Sequence, residues 1–458
     1  MEKKVCIIGA GLAGSEAALQ LAKHNIEVVL IEARPNLPTP VHKTECCAEL
    51  VCSNSLKSEK DDSAAGLLKY ELKELSSFVY ACALQHRVPA GGALAVNRSA
   101  FAEEVTSLIE SNPRIDLIRH EVVRIQGNAY AELGSGEVLG PFSAFIIATG
   151  PLTSDRFASW LIEQTGCDSL SFYDAAAPIV YADSLNMGKV FRQSRYEESE
   201  GDYLNAPFNK EEYEHFINEL LEAKRIIAKE FETKELFQAC QPIEEIARKG
   251  FDAPRFGALK PVGLTDPSTG RRPWAAVQLR AEDKYGQSYN LVGFQTNLTF
   301  PEQERVFRLI PGLENAEFAR YGVMHRNTFL NAPQLMSSSQ EIACLSHVCG
   351  APVFLAGQIA GTEGYCEAIR SGLHTALSIM QIFNDEEVRS LPAETVYGAL
   401  LAYASDPAVC NYQPMHVNFG IMPPLTETIK NKGQRYAAYA QRARSAIQSY
   451  IASFEGKL

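Results

Sequence analysis

The sequence predicts an α/β fold in which a parallel-sheet domain is split by an inserted α+β domain, and three observations predict it. First, a short apolar run at 4–8 ends in a glycine-rich turn, followed by a helical stretch at 13–24 and a second apolar run at 27–31. That is the pattern of a βαβ unit. Second, two further buried-strand runs end in glycine much later, Phe145-Ile-Ile-Ala-Thr-Gly150 and a run beginning at Val353. Third, the texture between them changes from about residue 171. Residues 195–235 are acidic and polar, and 250–300 alternate short apolar strands with Pro/Gly turns. The chain's 458 residues also exceed the roughly 250–300 that one core organises. The expected division is residues 1–170 and 320–458 for the first domain and 171–319 for the insertion.

Smaller elements follow from local signals. Residues 38–60 read as a loop packed on its neighbours, 63–76 as a helix, and 121–140 as a hairpin turning at Gly127-Asn128 and Gly134-Ser-Gly136. Asn209 and Glu212 have the spacing of a capping box, ahead of Tyr213, Phe216, Ile217, Leu220 and Leu221 at helical intervals. The tail beyond about 385 reads as mostly helical.

Composition narrows the class. Apolar residues are 46% and charged residues 21% of the chain, and there is no apolar run of about 18 residues, so no membrane-spanning helix is expected. The start, Met1-Glu-Lys-Lys, runs directly into the first strand and predicts no secretory signal. A cytoplasmic location is expected, with the 11 cysteines largely reduced. The net charge of −12 argues against a uniformly cationic nucleic-acid binder and leaves room for a local basic patch. Cys344, His347 and Cys349 have no zinc-site spacing, so no metal is expected.

The turn Gly9-Ala10-Gly11-Leu12-Ala13-Gly14 fits G-x-G-x-x-G, and its position between strand and helix makes the match informative. Gly9 permits the turn, Gly11 lets backbone approach a pyrophosphate, and Gly14 lets helix and strand pack closely. The helix start supplies N–H groups and partial positive charge. Glu32, 18 residues beyond Gly14, suits a hydrogen bond to a ribose hydroxyl and disfavours a 2′-phosphate. Ile146-Ile-Ala-Thr149-Gly150 resembles the second nucleotide-contact strand of two-dinucleotide flavoproteins. Phe354-Leu-Ala-Gly357-Gln358 resembles the late strand that meets the flavin ribitol and pyrophosphate. Together they favour FAD, held in a Rossmann-type FAD-binding domain. Gln358 stands where most such proteins carry an acid.

Two readings follow. Cys47 and Cys52 form C-x4-C about where FAD-dependent pyridine-nucleotide disulfide oxidoreductases keep their redox pair. Against that reading, the chain lacks a second G-x-G-x-x-G and the C-terminal His-Pro element of that class. The second reading rests on several segments: 9–16, Ala-Glu-Leu-Val-Cys-Ser-Asn-Ser-Leu (48–56), Pro-Ala-Gly-Gly-Ala-Leu-Ala-Val (89–96), Asp-Ala-Ala-Ala-Pro-Ile-Val (174–180), Phe-Arg-Gln-Ser-Arg-Tyr (191–196), Arg-Phe-Gly-Ala-Leu-Lys-Pro-Val-Gly-Leu (255–264), Tyr-Gly-Val-Met-His-Arg-Asn-Thr-Phe (321–329), Ala-Gly-Gln-Ile-Ala-Gly-Thr-Glu-Gly-Tyr (356–365) and Val-Asn-Phe-Gly (417–420). These resemble the folate- and FAD-dependent tRNA (uracil-5-)-methyltransferase family over nearly the whole chain. A larger relative that modifies the wobble uridine shares Gly-Gln-Ile-x-Gly-Thr but carries an additional helical domain.

The resemblance implies that 5,10-methylenetetrahydrofolate donates a one-carbon unit, that reduced FAD is reductant and methylene carrier, that NAD(P)H supplies electrons, and that uracil in the tRNA T loop becomes 5-methyluracil. The same chemistry on 23S ribosomal RNA is an alternative target. Uracil C5 is a poor nucleophile until a thiolate adds at C6. Cys240, in Phe-Gln-Ala-Cys-Gln-Pro-Ile-Glu (237–244), matches the family's nucleophile and is expected at a helix end or turn. Cys52 matches a second family cysteine, close to the flavin, with a shielding, proton-transfer or packing role. The implied cofactor contacts are residues 9–14, Glu32, Thr149, Gly150, Gly357 and Gln358. Within or beside matching blocks, Arg255, Lys260, Arg271, Arg272 and Arg280 are candidate RNA contacts. Lys430, Lys432, Arg435, Arg442 and Arg444 form a second basic set, with Tyr439 on the same helix face as Arg435. His325, Arg326 and Asn327 are candidates for flavin or folate contact or for a core role. A flavin-dependent RNA-binding regulator without catalysis is the third class kept open.

Overall fold

The computed structural model describes residues 3–39, 41–166, 170–196, 201–227, 241–410 and 412–454. Its central sheet is parallel and five-stranded. Strand β1 (Lys4–Ile8) leads through helix α1 (Leu12–Lys23) to β2 (Glu27–Glu32). Strands β3 (Ile115–Arg119), β4 (Ala144–Ile147) and β5 (Val353–Leu355) complete the order β5-β4-β1-β2-β3. Val5 stands beside Val28 on one side and Ala144 on the other, and Phe145 pairs with Val353. Continuous Val/Ile/Leu runs suit these strands because helices and loops cover them, leaving every position in β1 after Lys4 buried.

Helix α1 packs along α2 (Tyr365–Phe383), the long helix that follows β5. Contact is close because Gly372 has no side chain: a Cβ there would overlap the Ala13 carbonyl. The helix expected at 63–76 is observed at Ala64–Glu74, with the Ser63 hydroxyl capping Gly66 N–H. The hairpin expected at 121–140 is a three-stranded meander, Val122–Gln126, Tyr130–Leu133 and Val138–Leu139, with Asn128 and Ala129 at positive φ in its first turn. The segment 38–60 is not all loop. Ser55–Ser58 pairs antiparallel with Ala93–Val96, which also pairs with Arg87–Val88. Its side-chain pattern was too short to announce a strand, and partner pairing decides it. The tail contains the helices Val396–Ala404 and Lys432–Ala452 around an irregular stretch.

The middle of the chain builds a second layer system. Six antiparallel strands lie in the order Phe191–Arg192, Tyr203–Phe208, Ala275–Ala281, Ser288–Leu291, Ile179–Tyr181, Phe318–Arg320. Helix Lys210–Glu222 carries the expected capping box, with Asn209 and Glu212 bonding reciprocally. Its buried Tyr213, Phe216, Ile217 and Leu220 face a ring cluster in which Phe216 contacts Phe208 and Phe294, and Phe294 contacts Phe307. This apolar cluster, from Ala177 to Ala316, is separate from the one that unites residues 5–161 with 329–454. Between the two runs an antiparallel ribbon, Leu170–Ala175 with Met324–Phe329, where the chain enters and leaves the middle region.

Candidate active site

A groove enclosing about 1140 Å³ opens at the carboxyl ends of β1, β2, β4 and β5, the place where open parallel sheets bind ligands. Gly9 leaves β1 with φ +103°, donating its N–H to Ile31 O, and a Cβ there would strike the Ala148 carbonyl at 2.5 Å. Gly11 is the N-cap of α1, and a Cβ built on it would meet nothing within 4 Å. The helix has no side-chain cap and no acid in its first turn, so its leading amides face the groove unopposed. Of the residues expected to hold a cofactor, Gly9, Gly11, Leu12, Ala13, Glu32, Thr149, Gly150, Gly357 and Gln358 line this groove. Ala10 and Gly14 stand behind it: Ala10 N–H donates to the Glu32 carboxylate at 2.8 Å, and a Cβ on Gly14 would overlap the Gly9 carbonyl.

Burial works to raise the Glu32 pKa, but the Arg34 guanidinium at 2.8 Å and the backbone N–H groups of Ala10 and Arg34 outweigh it and hold the carboxyl below its ordinary range. Glu32 is therefore an ionised acceptor at the end of β2. Arg34 also reaches Glu49 at 3.2 Å, tying the 41–49 loop to the groove. Burial and the nearby Arg34 push His42, another groove residue, down to about 4, so it is neutral near pH 7.

At the other end, Gly357 has φ +78° and its N–H donates to Ser371 Oγ. The Gln358 side chain donates to Glu363 at 2.6 Å. Burial, and then the charge of Asp174, push Glu363 up to about 8, against the lowering influence of Lys57. Sequence reasoning missed Glu363, although it lies five residues beyond Gln358 in a segment already singled out. It is the acid to which the Gln358 amide is hydrogen-bonded.

Cys52 sits at the seam between the two cores, half-buried. Its backbone N–H and that of Ser53 donate to the hydroxyl of Tyr365, a groove-lining residue, at 2.9 and 3.1 Å. Its Sγ lies 3.8 Å from Ala175 O on the ribbon. Arginines clamp this segment: Arg98 to Cys52 O and Glu282, and Arg320 to Val51 O. Arg280, expected to meet RNA, is only 6% exposed and donates to Asn54 Oδ1 and Ser53 Oγ at 2.7 and 2.8 Å. It is an internal strut, because strand Ala275–Ala281 directs it toward the seam. Cys47 is buried elsewhere, its N–H on Thr106 Oγ1. Asn327 is buried with neither amide atom hydrogen-bonded, and its strand packs on the Gly150–Leu152 and Gly357–Ala360 turns.

Cys240 lies outside the described residues. The chain just beyond it is anchored: Pro242 is the N-cap of helix Ile243–Lys249, and Ile243 N–H donates to Gln295 O. Buried Glu244 accepts from Asn297 N–H and the Thr296 hydroxyl, and burial pushes it up to about 7. Arg255, Lys260 and Arg272 line a shallow cleft, and Arg271 is exposed beside it. Arg435 and Arg442 lie on helix Lys432–Ala452, partly engaged with the Ile429 and Pro424 carbonyls. Tyr439 stacks on Phe419.

Sheet order, glycine turn, uncapped helix and terminal acid define a dinucleotide-binding α/β protein. An open approach at Gly11 and at Gly150, where an added Cβ also meets nothing within 4 Å, fits the backbone-to-phosphate contacts that FAD requires. The family model described as "Glucose inhibited division protein A" matches residues 4–387. The methylenetetrahydrofolate–tRNA-(uracil-5-)-methyltransferase TrmFO of Moorella thermoacetica is 49% identical over 444 residues, 97% of each chain. That of Geobacter sulfurreducens is 49% identical over 455 residues, 99% of this chain and 100% of its own. The chain belongs to the TrmFO family. A crystal structure of Aquifex aeolicus GidA shares the fold, with TM-score 0.72 at 15% identity over 98% of this chain and 76% of that one.

Proposed function

We propose that this chain is a flavin-dependent methylenetetrahydrofolate–tRNA-(uracil-5-)-methyltransferase acting on the T loop, with NAD(P)H as electron source. The observation that carries the reading is the groove with Cys52 tethered at its rim through Tyr365, in a chain similar to TrmFO enzymes along its whole length. Family membership sets aside the disulfide-oxidoreductase alternative. Gly9, Gly11, Leu12, Ala13, Glu32, Thr149, Gly150, Gly357 and Gln358 hold FAD, with Ala10 and Gly14 shaping the turn behind them; FAD when bound supplies reducing equivalents and carries the one-carbon unit. The Cys240 thiolate adds to uracil C6 and makes C5 nucleophilic. Cys52 borders the flavin, where the clamp from Tyr365 and Arg98 fixes its backbone. The target uracil lies inside a folded loop, so it must leave its stack to reach the groove. Residues 1–170 and 320–458 form the cofactor domain and 171–319 the insertion, a division supported by the two separate apolar clusters. No helix among the described residues is long and apolar enough to cross a membrane, and a tRNA substrate supports a cytoplasmic location.

The test is transfer of label from 5,10-methylenetetrahydrofolate, with NAD(P)H, into a tRNA transcript by the yellow protein. Label mapping to a T-loop uracil is expected. Label appearing only in 23S ribosomal RNA would shift the target, and no transfer to either RNA would overturn the reading.

A further inference from the structure

The middle region carries an exposed surface that the flavin groove does not use. Phe256 is 82% exposed, at the end of the 3-10 turn Ala253–Phe256. The turn is fixed: Pro254 is buried, Leu259 N–H donates to Pro254 O, and Arg255 Nε donates to Trp274 O. The Arg255 guanidinium lies 3.7 Å over the Trp274 ring and 3.2 Å from Asp252, so it braces the turn from behind. A rigid backbone thus presents an apolar ring to water.

In the cleft beside that ring the charge is one-sided. The adjoining cleft of about 910 Å³ is lined by Phe256, Lys260, Val262, Arg272 and Trp274 among others, with no carboxylate in its wall. Among the described residues, Lys260, Arg271 and Arg272 form no salt bridge, in a chain whose net charge is −12. A second ring extends the surface. Tyr196, 71% exposed, donates its N–H to Gly263 O, and Gly263, at φ +84°, leaves room for its ring, which a Cβ there would approach to 2.9 Å. The Phe256 turn packs on helix Ile243–Lys249, which starts three residues after Cys240 in the chain.

A fixed exposed aromatic flanked by uncompensated cations matches one ligand chemistry, an unpaired base with phosphates on either side. An acidic protein would satisfy the cations but has no general use for an isolated flat ring. We propose that Phe256 is a stacking platform for an unpaired nucleotide of the substrate RNA, with Lys260, Arg271 and Arg272 on its flanking phosphates. The inference rests on the RNA-methyltransferase reading and names where that RNA is held outside the groove.

The experiment measures binding of a fluorescent T-arm stem–loop to the FAD-loaded protein across a salt series. Phe256→Ala is expected to weaken binding about tenfold, within the range for loss of one base stack, and Phe256→Trp to restore it. Changing Lys260, Arg271 and Arg272 together to Gln is expected to reduce the slope of log affinity against log salt by about 2. An unchanged near-ultraviolet circular dichroism spectrum, which reads the ring packing of the middle region, together with unchanged flavin absorbance, shows that each variant is folded. Wild-type affinity in both the alanine and the triple variant, with the wild-type enzyme still methylating the RNA, overturns the platform and leaves the function standing. Failure of Phe256→Trp to restore binding overturns stacking. A wild-type protein that neither binds nor methylates the stem–loop removes the reading itself.

Discussion

The core formed by the two ends of the chain closes on backbone. At Gly9, Gly14 and Gly372 one added methyl group would collide with the carbonyl of Ala148, Gly9 or Ala13, so strand, turn and helices are fixed relative to one another at main-chain contact. The middle core closes on rings, with Phe208, Phe216, Phe294 and Phe307 stacked edge to face or tilted at centroid distances of 5.3–6.2 Å. Main-chain contact suits a groove that must hold phosphates within hydrogen-bonding range. Ring packing tolerates an irregular surface, such as one that meets a large folded substrate. The comparison predicts that cofactor affinity and RNA chemistry depend on different kinds of packing and should be lost separately.

The largest separation is expected from Cys240→Ala, which abolishes label transfer to RNA while flavin absorbance stays at the wild-type level; turnover in that variant would remove the cysteine from its role. Next, Phe294→Ala, emptying a fully buried position of the ring cluster, should cost about 3–5 kcal/mol in the middle core and end methylation, with FAD retained. Loss of FAD in the same variant, followed by flavin fluorescence, would show that the cores are not energetically separate. Gly372→Ala should do the reverse. By forcing α2 off α1 it costs about 1–3 kcal/mol or more and releases FAD, read as a lower melting temperature and a colourless protein.

A last effect, read only as a pH dependence, concerns a pair of buried acids, one in each region. Glu363 behind the groove is pushed up to about 8, and Glu244 in the middle core to about 7. An acid whose folded pKa exceeds its unfolded value of 4.5 binds more protons when folded, so stability falls as pH rises between the two values. For Glu363 that window runs from about 4.5 to 8, and Glu363→Gln should flatten the fall. Urea midpoints at pH 5 and pH 8 for wild type and variant test it, since Glu244 is common to both and cancels. An unchanged pH slope would remove Glu363 as its source.

What the sequence made legible was whatever is written in local spacing: the glycine turn, the acid closing β2, the capping box at Asn209, and the helical period of Tyr213 to Leu220. What it hid was decided by distant partners. Nothing near Ser55 announces a strand, because its partner at Ala95 lies across two helices. Arg280 read as surface charge because a strand's outward and inward positions look alike until its neighbours are known. The tether from Cys52 to Tyr365 joins residues 313 apart, and no local pattern encodes it.

The strand order also has a consequence for synthesis. β1 emerges first, but β4, which flanks it, needs residue 144, and β5, which flanks β4, needs residue 353. At about 5–20 residues per second the nascent chain spends on the order of half a minute with an unpaired parallel edge. Meanwhile the whole middle region leaves the ribosome and can fold by its own antiparallel contacts. Only when α2 arrives and seats Gly372 on Ala13 does the cofactor cleft have all its walls. FAD loading is thereby a late event, timed by the order in which the chain is made.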